Sequence, residues 1–134
     1  MPQTPSDRKA PEEIARTLWA AWRAADVERL TQLVTDDVSV SGYLADGRPI
    51  RGQDDVMGMV RDFAASGAKV DLSELETLSD TCVVFRASVH GDGAGDAGAT
   101  YWVWTFENGL LKDSHVFASR DTAISWFAAE HPSG

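Results

Sequence analysis

The chain is poor in the residues that build disulfides and metal sites: it has one cysteine and three histidines. A lone Cys82 cannot form an internal disulfide, and His90, His115 and His131 lack the spacing of metal ligands. No glycine-rich phosphate-binding motif is present either. The sequence therefore predicts no metal and no cofactor. Cys82 opens an apolar run and is expected to be a small buried hydrophobe.

Basic residues are also scarce, with 12 Lys and Arg against 21 Asp and Glu, which gives a net charge of −9. Nucleic acids and anionic membranes are bound mainly through Lys and Arg, so neither is expected as a partner. No apolar run approaches the length of a membrane span, and the polar segment Met1 to Pro11 does not resemble a signal peptide. The default location is the cytoplasm.

What remains is an ordinary globular composition, with 134 residues of which 43% are hydrophobic. This length fits one domain with one core, so residues 1–134 are interpreted as a single domain. Residues 1–10 are expected to form a flexible arm and residues 130–134 a flexible tail.

Helical spacing predicts three helices in the first half. The first runs from about Pro11 to Ala25, with Pro11 in its first turn and apolar residues on one face. Asp26 caps a shorter second helix, and a third follows Gly52 and ends near Ser66. One strand, Val38 to Ser41, lies between the second and third helices.

The second half is rich in strands. Alternation predicts strands at Val70 to Leu78, Thr81 to His90, Thr100 to Glu107 and Leu110 to Ala118, followed by a helix capped by Ser119. The apolar, inward face of the second of these strands is predicted to consist of Val83, Phe85, Ala87 and Val89. Asn108 and Gly109 make a hairpin turn between the last two strands. Helices that precede a run of antiparallel strands predict an α+β fold, with the helices covering one face of the sheet.

In this order the chain resembles the nuclear transport factor 2-like superfamily, in its SnoaL-like branch. The likeness extends from about Pro11 to Ala129 and is carried by ADVERL at 25–30, TDDVSV at 35–40, GRPIRG at 47–52, WVWTFENGLL at 102–111 and FASRD at 117–121. It implies a cone in which a curved, mostly antiparallel sheet and the helices enclose a pocket. It also implies activities as diverse as steroid isomerase, polyketide cyclase, epoxide hydrolase and dehydratase, and often a dimer.

The acids of those enzymes are missing at the matching positions. The isomerases' tyrosine and two acids fall on Leu18, Gly42 and Trp102, and the epoxide hydrolases' aspartate on the last strand falls on Val116. None of these side chains exchanges protons, so inherited chemistry of either type is not expected.

The last strand leaves its orientation open. Continuing from Leu111 places Asp113, His115 and Phe117 inward, whereas matching the family's later positions places Ser114, Val116 and Ala118 inward. A β-bulge reconciles the two, because a shift of one residue turns every side chain to the other face. In the first orientation His115, paired with Asp113, is the candidate for acid/base catalysis.

The pocket is predicted to be apolar and rich in tryptophan, and to take a small hydrophobic ligand. The residues assigned to it are Leu18, Trp22, Tyr43, Val60, Phe85, Trp102 and Trp104. Trp19 and Trp126 are assigned to the core. Tyr101, Val103 and Thr105 fall on the outer face of the sheet, where a homodimer is expected to form.

Three functions follow from these observations. The first is a cofactor-independent enzyme that uses His115, of the cyclase, isomerase or dehydratase kind. The second is a non-catalytic binder of a small hydrophobic molecule. The third is a dimerisation or protein-interaction module whose cavity is vestigial.

Overall fold

The structure, a computed structural model, describes residues 10–42, 48–65, 69–90 and 99–130. Four helices and six strands follow one another as α1 Pro11–Arg23, α2 Val27–Leu33, β1 Val34–Ser41, β2 Ile50–Arg51, α3 Gln53–Ala65, β3 Lys69–Ser79, β4 Cys82–His90, β5 Ala99–Glu107, β6 Leu110–Phe117 and α4 Arg120–Glu130. This order confirms the α+β class. Tyr43 and most of the loop predicted at 44–49 lie outside the described residues.

The two N-terminal helices begin at the predicted signals. Pro11 opens α1, and two glutamates follow it in the first turn, where negative charge is favourable. The helix ends two residues before the predicted Ala25, because Ala25 takes a left-handed conformation with φ of 55°. Asp26 then caps α2, its carboxylate accepting a hydrogen bond from the Arg29 backbone N–H at 3.2 Å.

The strands form one mixed sheet in the order β2-β1-β6-β5-β4-β3. The pairing of β1 with β6 is parallel, and all the other pairs are antiparallel. Strand β2 was not predicted, since two residues are too few to show alternation. Strand β1 begins at Val34 rather than Val38, and its register against β6 is irregular between Val34 and Ser39.

The two faces of the sheet carry separate apolar clusters. Helices α1 and α3 pack on the inner face, where Val83, Phe85 and Ala87 of β4 point inward as predicted. Helix α4 packs on the outer face over a second cluster of fully buried residues, which are Cys82, Val84, Val103 and Ala123. Val103 is thus covered within the chain, and a homodimer through this face stays a prediction for the area that α4 leaves open.

A β-bulge in β6 settles the orientation of the last strand. Thr105 pairs with Asp113, but the next residue of β5, Phe106, pairs with Leu111, so Lys112 is the extra residue. After the bulge Ser114 points inward, and Asp113 and His115 point to the outer face. The orientation that placed Asp113 and His115 inward is therefore wrong, and the other one is confirmed for Ser114 and Val116. Its third residue, Ala118, lies beyond the end of β6 and is exposed.

His115 lies in an apolar environment on the outer face. Its ring packs against Trp126 of α4 with a centroid separation of 4.2 Å and stacks on Phe117 at 6.4 Å. Its Nδ1 atom is buried and has no hydrogen-bond partner. Burial lowers the pKa of the imidazole, although the negative charges of Asp113 and Glu130 oppose this effect. The neutral form is therefore the one that the fold favours.

The free energy of unfolding should fall as the pH drops below about 6.5, the ordinary pKa of histidine. Below that pH the unfolded chain binds a proton at His115 and the folded chain does not, so protonation lowers the free energy of the unfolded state relative to the folded state. The loss is limited to about 1.4 kcal/mol per pH unit, the value for one proton. Urea unfolding at pH 7.5 and 5.5 measures it. His115→Phe keeps the ring contact without the titration and should show a smaller difference; an equal difference in both proteins would contradict the assignment.

Cys82 should be almost inert in the folded protein. Burial raises the pKa of its thiol to about 11 from 9.0, although its contact with the Thr105 hydroxyl at 3.8 Å opposes the shift. The thiolate fraction at neutral pH is then about a hundredfold lower, and α4 restricts access to it. Since Cys82 is the only cysteine, the rate of reaction with a thiol reagent reports this site alone. Equal rates with and without denaturant would show that the thiol is not buried.

Candidate functional site

A partly enclosed cavity of about 110 Å³ lies between α1, α3 and the inner face of the sheet. Its walls are predominantly apolar, and three of the chain's five tryptophans take part in them. The lining residues are Trp19, Trp22, Gly42, Met59, Phe63, Val70, Ala87, Thr100, Trp102 and Val116. A cavity therefore lies between the helices and the sheet, and its use as a ligand pocket stays a prediction.

The periodicity of each element brings these side chains together. Trp19 and Trp22 are three residues apart on α1 and share its inner face. Met59 and Phe63 are one helical turn apart on α3, and Thr100 and Trp102 alternate inward on β5. Two tryptophans therefore face the cavity from one helix and a third faces it from the sheet.

The aromatic rings pack against one another as well as around the cavity. Phe85 lies at the centre, with ring centroids 4.7 Å from Trp104, 5.2 Å from Trp19 and 6.3 Å from Trp102. Trp22 adds edge-to-face contact with Trp102 at 6.0 Å. Such pairs contribute about 0.5–1.5 kcal/mol each beyond burial, so the walls of the cavity hold one another in place.

Two of the indole N–H groups are bonded within the chain. Trp102 donates to the Thr100 hydroxyl at 2.8 Å, and Trp104 donates to the hydroxyl of the fully buried Ser114 at 2.9 Å. These bonds satisfy donors that are costly to bury alone. They also fix the tilt of both rings relative to the sheet.

The predicted pocket residues divide into a lining and a layer behind it. Of these residues, Trp22 and Trp102 line the cavity. Leu18, Val60, Phe85 and Trp104 are buried in the core cluster and support the lining from behind. Tyr43 lies outside the described residues. Trp19, assigned to the core, is buried there but also reaches the cavity wall.

Several lining residues were missed, although the sequence contained a signal for most of them. Met59 and Phe63 belong to the regular apolar face of the third helix, and Ala87 and Thr100 belong to the inward sets of their strands. Val70 opens a predicted strand. Gly42 has no side chain and so contributes to no apolar pattern; only the family resemblance, which matches it to an acid of the isomerases, pointed to it.

Gly42 is required where β1 passes closest to β6. Its φ is +84°, and a Cβ atom built on it would lie 2.4 Å from the carbonyl oxygen of Val116. No side chain fits without moving one of the two strands. The position where the isomerases keep an aspartate is therefore closed to a carboxylate in this chain.

Asp113 and His115, the predicted catalytic pair, lie on the opposite side of the sheet from the cavity. Asp113 accepts a hydrogen bond from the Ser39 hydroxyl at 2.7 Å, and His115 packs against α4. The structure does not bring either residue to the pocket. Among the described lining residues there is no acid, histidine, lysine, cysteine or tyrosine, so no group there exchanges protons near neutral pH.

Two further observations limit the kinds of site that the described ranges hold. No group of three or more His, Cys, Asp or Glu side chains within them is placed to hold a metal ion. None of their helices is long and apolar enough to cross a bilayer.

Ser114→Ala should destabilise the fold by about 1–3 kcal/mol, because it leaves the buried Trp104 N–H without an acceptor. Urea unfolding followed by circular dichroism gives the difference. Ser125→Ala on the exposed side of α4 is the matched control and should change stability by less than about 0.5 kcal/mol. Equal effects for the two variants would show that the buried bond contributes nothing.

The fold recurs among solved structures of low sequence identity. RV0760c from Mycobacterium tuberculosis, solved in complex with estradiol-17beta-hemisuccinate, is 20% identical with a TM-score of 0.67, covering 84% of this chain and 97% of that one. The epoxide hydrolase/cyclase-like enzyme SalBIII is 12% identical with a TM-score of 0.68, covering 83% and 92%. A computationally designed 17-OHP binder is 19% identical with a TM-score of 0.65, covering 83% and 92%.

No curated protein matches the sequence significantly. The SnoaL-like domain family, in contrast, matches residues 15–114, from the first turns of α1 to the inward-facing Ser114 of β6. This match spans most of the chain and agrees with the order of helices and strands, the mixed sheet and the pocket. The chain belongs to the SnoaL-like domain family.

Proposed function

We propose that this protein is a non-catalytic binder of a small hydrophobic molecule, which it holds in the cavity between α1, α3 and the sheet. The observation that carries the proposal is the cavity wall, which combines three indoles with aliphatic side chains and holds no group that exchanges protons among its described residues. Concave apolar sites with few polar groups are typical of small-molecule binding.

Related structures support this proposal by their ligands. RV0760c was solved with an estradiol hemisuccinate, and a designed protein of the same fold binds 17-OHP. In both proteins the fold accommodates a hydrophobic molecule. This chain has the same fold and an apolar cavity, which favours the binding of a small hydrophobic molecule here as well.

Catalysis is the weaker proposal for this cavity. SalBIII is an epoxide hydrolase/cyclase-like enzyme, and reactions of that kind need groups that transfer protons. At the positions that the resemblance matches to the isomerases' two acids, Trp102 lines the cavity and Gly42 cannot carry a side chain, and at the position of their tyrosine Leu18 is fully buried. His115 is separated from a ligand in the cavity by the sheet itself.

Binding can be tested by NMR on ¹⁵N-labelled protein, because each tryptophan gives its own indole N–H signal. The titration uses benzene, toluene, naphthalene and estradiol. At least one of them should shift the signals of Trp22 and Trp102 saturably and leave Trp126, which lies on the outer face, unchanged. Failure of all four to shift the cavity signals would overturn the proposal.

A pair of alanine variants shows whether the cavity is responsible. Ala87 lines the cavity, so Ala87→Leu fills part of its space and should weaken binding at least tenfold. Ala128→Leu adds the same atoms on the exposed side of α4 and should leave the affinity unchanged. Binding that survives Ala87→Leu intact would place the ligand elsewhere.

A further inference from the structure

We infer that the ligand of this cavity is a single-ring aromatic or alicyclic molecule of about the size of benzene or toluene, and that multi-ring molecules are excluded. This inference rests on the proposed binding function and adds the class of ligand. It follows from three features of the described residues: the volume of the cavity, the interlocking of its walls and the support behind them.

The volume is small for a ligand site. Pockets for drug-sized molecules usually measure about 300–1,000 Å³, whereas this cavity measures about 110 Å³. Apolar cavities of about 150 Å³ accommodate benzene or xenon and stay dry when empty. The cavity therefore belongs with the sites for one small ring, and a four-ring steroid exceeds it severalfold.

The indoles are what make the cavity small, and they cannot move independently. Trp22 contacts both Trp102 and Trp104, with centroids at 6.0 Å and 5.9 Å. Trp102 is further held by its hydrogen bond to Thr100. A second ring in the ligand would have to displace an indole, and this displacement would break ring contacts and a hydrogen bond together.

The layer behind the lining restricts the movement of the Trp22 and Trp102 indoles, which pack against Trp104 and Phe85. Leu18, Phe85 and Trp104 are fully buried behind the rings, and Val60 is 2% exposed. Interiors packed in this way respond to added volume with strain rather than with local yielding. Widening the cavity thus requires α1 or α3 to move away from the sheet as a unit.

The flat surfaces of the walls favour an aromatic ring among molecules of this size. Trp19, Trp22, Trp102 and Phe63 present ring faces and edges to the cavity from three elements. Offset and edge-to-face contacts between rings are favourable beyond the area they bury. A planar ring fills such a space with more contact than a flexible chain of equal volume.

The test is the order of affinities in the NMR titration of the full-length protein. Benzene and toluene should bind at least tenfold more tightly than naphthalene, and estradiol should not compete with them. If naphthalene or estradiol binds as tightly as benzene at the cavity signals, the size inference is wrong while the proposed binding function stands. If none of the molecules binds, the binding function fails as well.

A matched pair of methionine variants tests whether the side chains that line the cavity limit the size of the ligand. Met59 and Met57 lie on α3, both nearly buried, but only Met59 lines the cavity. Met59→Ala should raise the affinity for naphthalene relative to benzene about tenfold, whereas Met57→Ala should leave the ratio unchanged. Trp102→Leu is the second enlarging variant, in case Met59→Ala unfolds. An unchanged ratio in the folded enlarging variant would overturn the inference.

Discussion

The hydrogen bond from Trp104 to Ser114 goes with the register of β6, and this register decides which side chains lie on each face of the sheet. It joins β5 to β6 inside the core, where Trp104 and Ser114 are both fully inaccessible to solvent. A buried indole N–H needs an acceptor. The Ser114 hydroxyl reaches it only because the bulge at Lys112 directs the Ser114 side chain to the inner face. The same turn sends Asp113 and His115 to the outer face.

This one-residue change of register separates the apolar side chains around the cavity from the ionisable side chains of β6, which lie on the other face of the sheet. The inner face carries Trp102 and Trp104 and a cavity whose described lining holds no acid, histidine or lysine, and the outer face receives Asp113 and His115 of β6. Asp113 is bonded to Ser39 there, and Lys112 forms an ion pair with Asp37 at 2.9 Å. His115 is enclosed by α4 rather than by a ligand site. Asp113 and His115 therefore lie on the face of the sheet opposite the cavity.

Much of the fold followed from local patterns, and the exceptions have physical causes. The inward set on β4 and the apolar face of α3 were predicted correctly because alternation and helical spacing there are regular. The last strand was ambiguous because Leu111 and Ser114 both point inward three residues apart, which no regular strand allows. Only the register against β5 decides such a case, and that pairing is a property of the whole sheet.

The sequence indicated an apolar, tryptophan-rich site but did not identify all the residues that line the cavity. The tryptophans marked a pocket, but sequence alone could not separate lining residues from those one layer behind, such as Phe85 and Leu18. Whether a buried ring touches the cavity depends on packing in three dimensions. Gly42 differs from these residues because it has no side chain. Its close approach to Val116 depends on the position of the neighbouring strand β6.

The missing acids and the small cavity have a common origin in packing. At Gly42 the close approach of Val116 leaves no room for a carboxylate, and at the position of Trp102 an indole occupies both the acid's place and part of the pocket volume. An ionised carboxylate among these rings would lack a charged partner, and burial would raise its pKa and weaken the fold. An indole there buries apolar area and satisfies its N–H through Thr100. The packing that stabilises the inner face of the sheet is thus the same packing that keeps the cavity small and its described lining apolar.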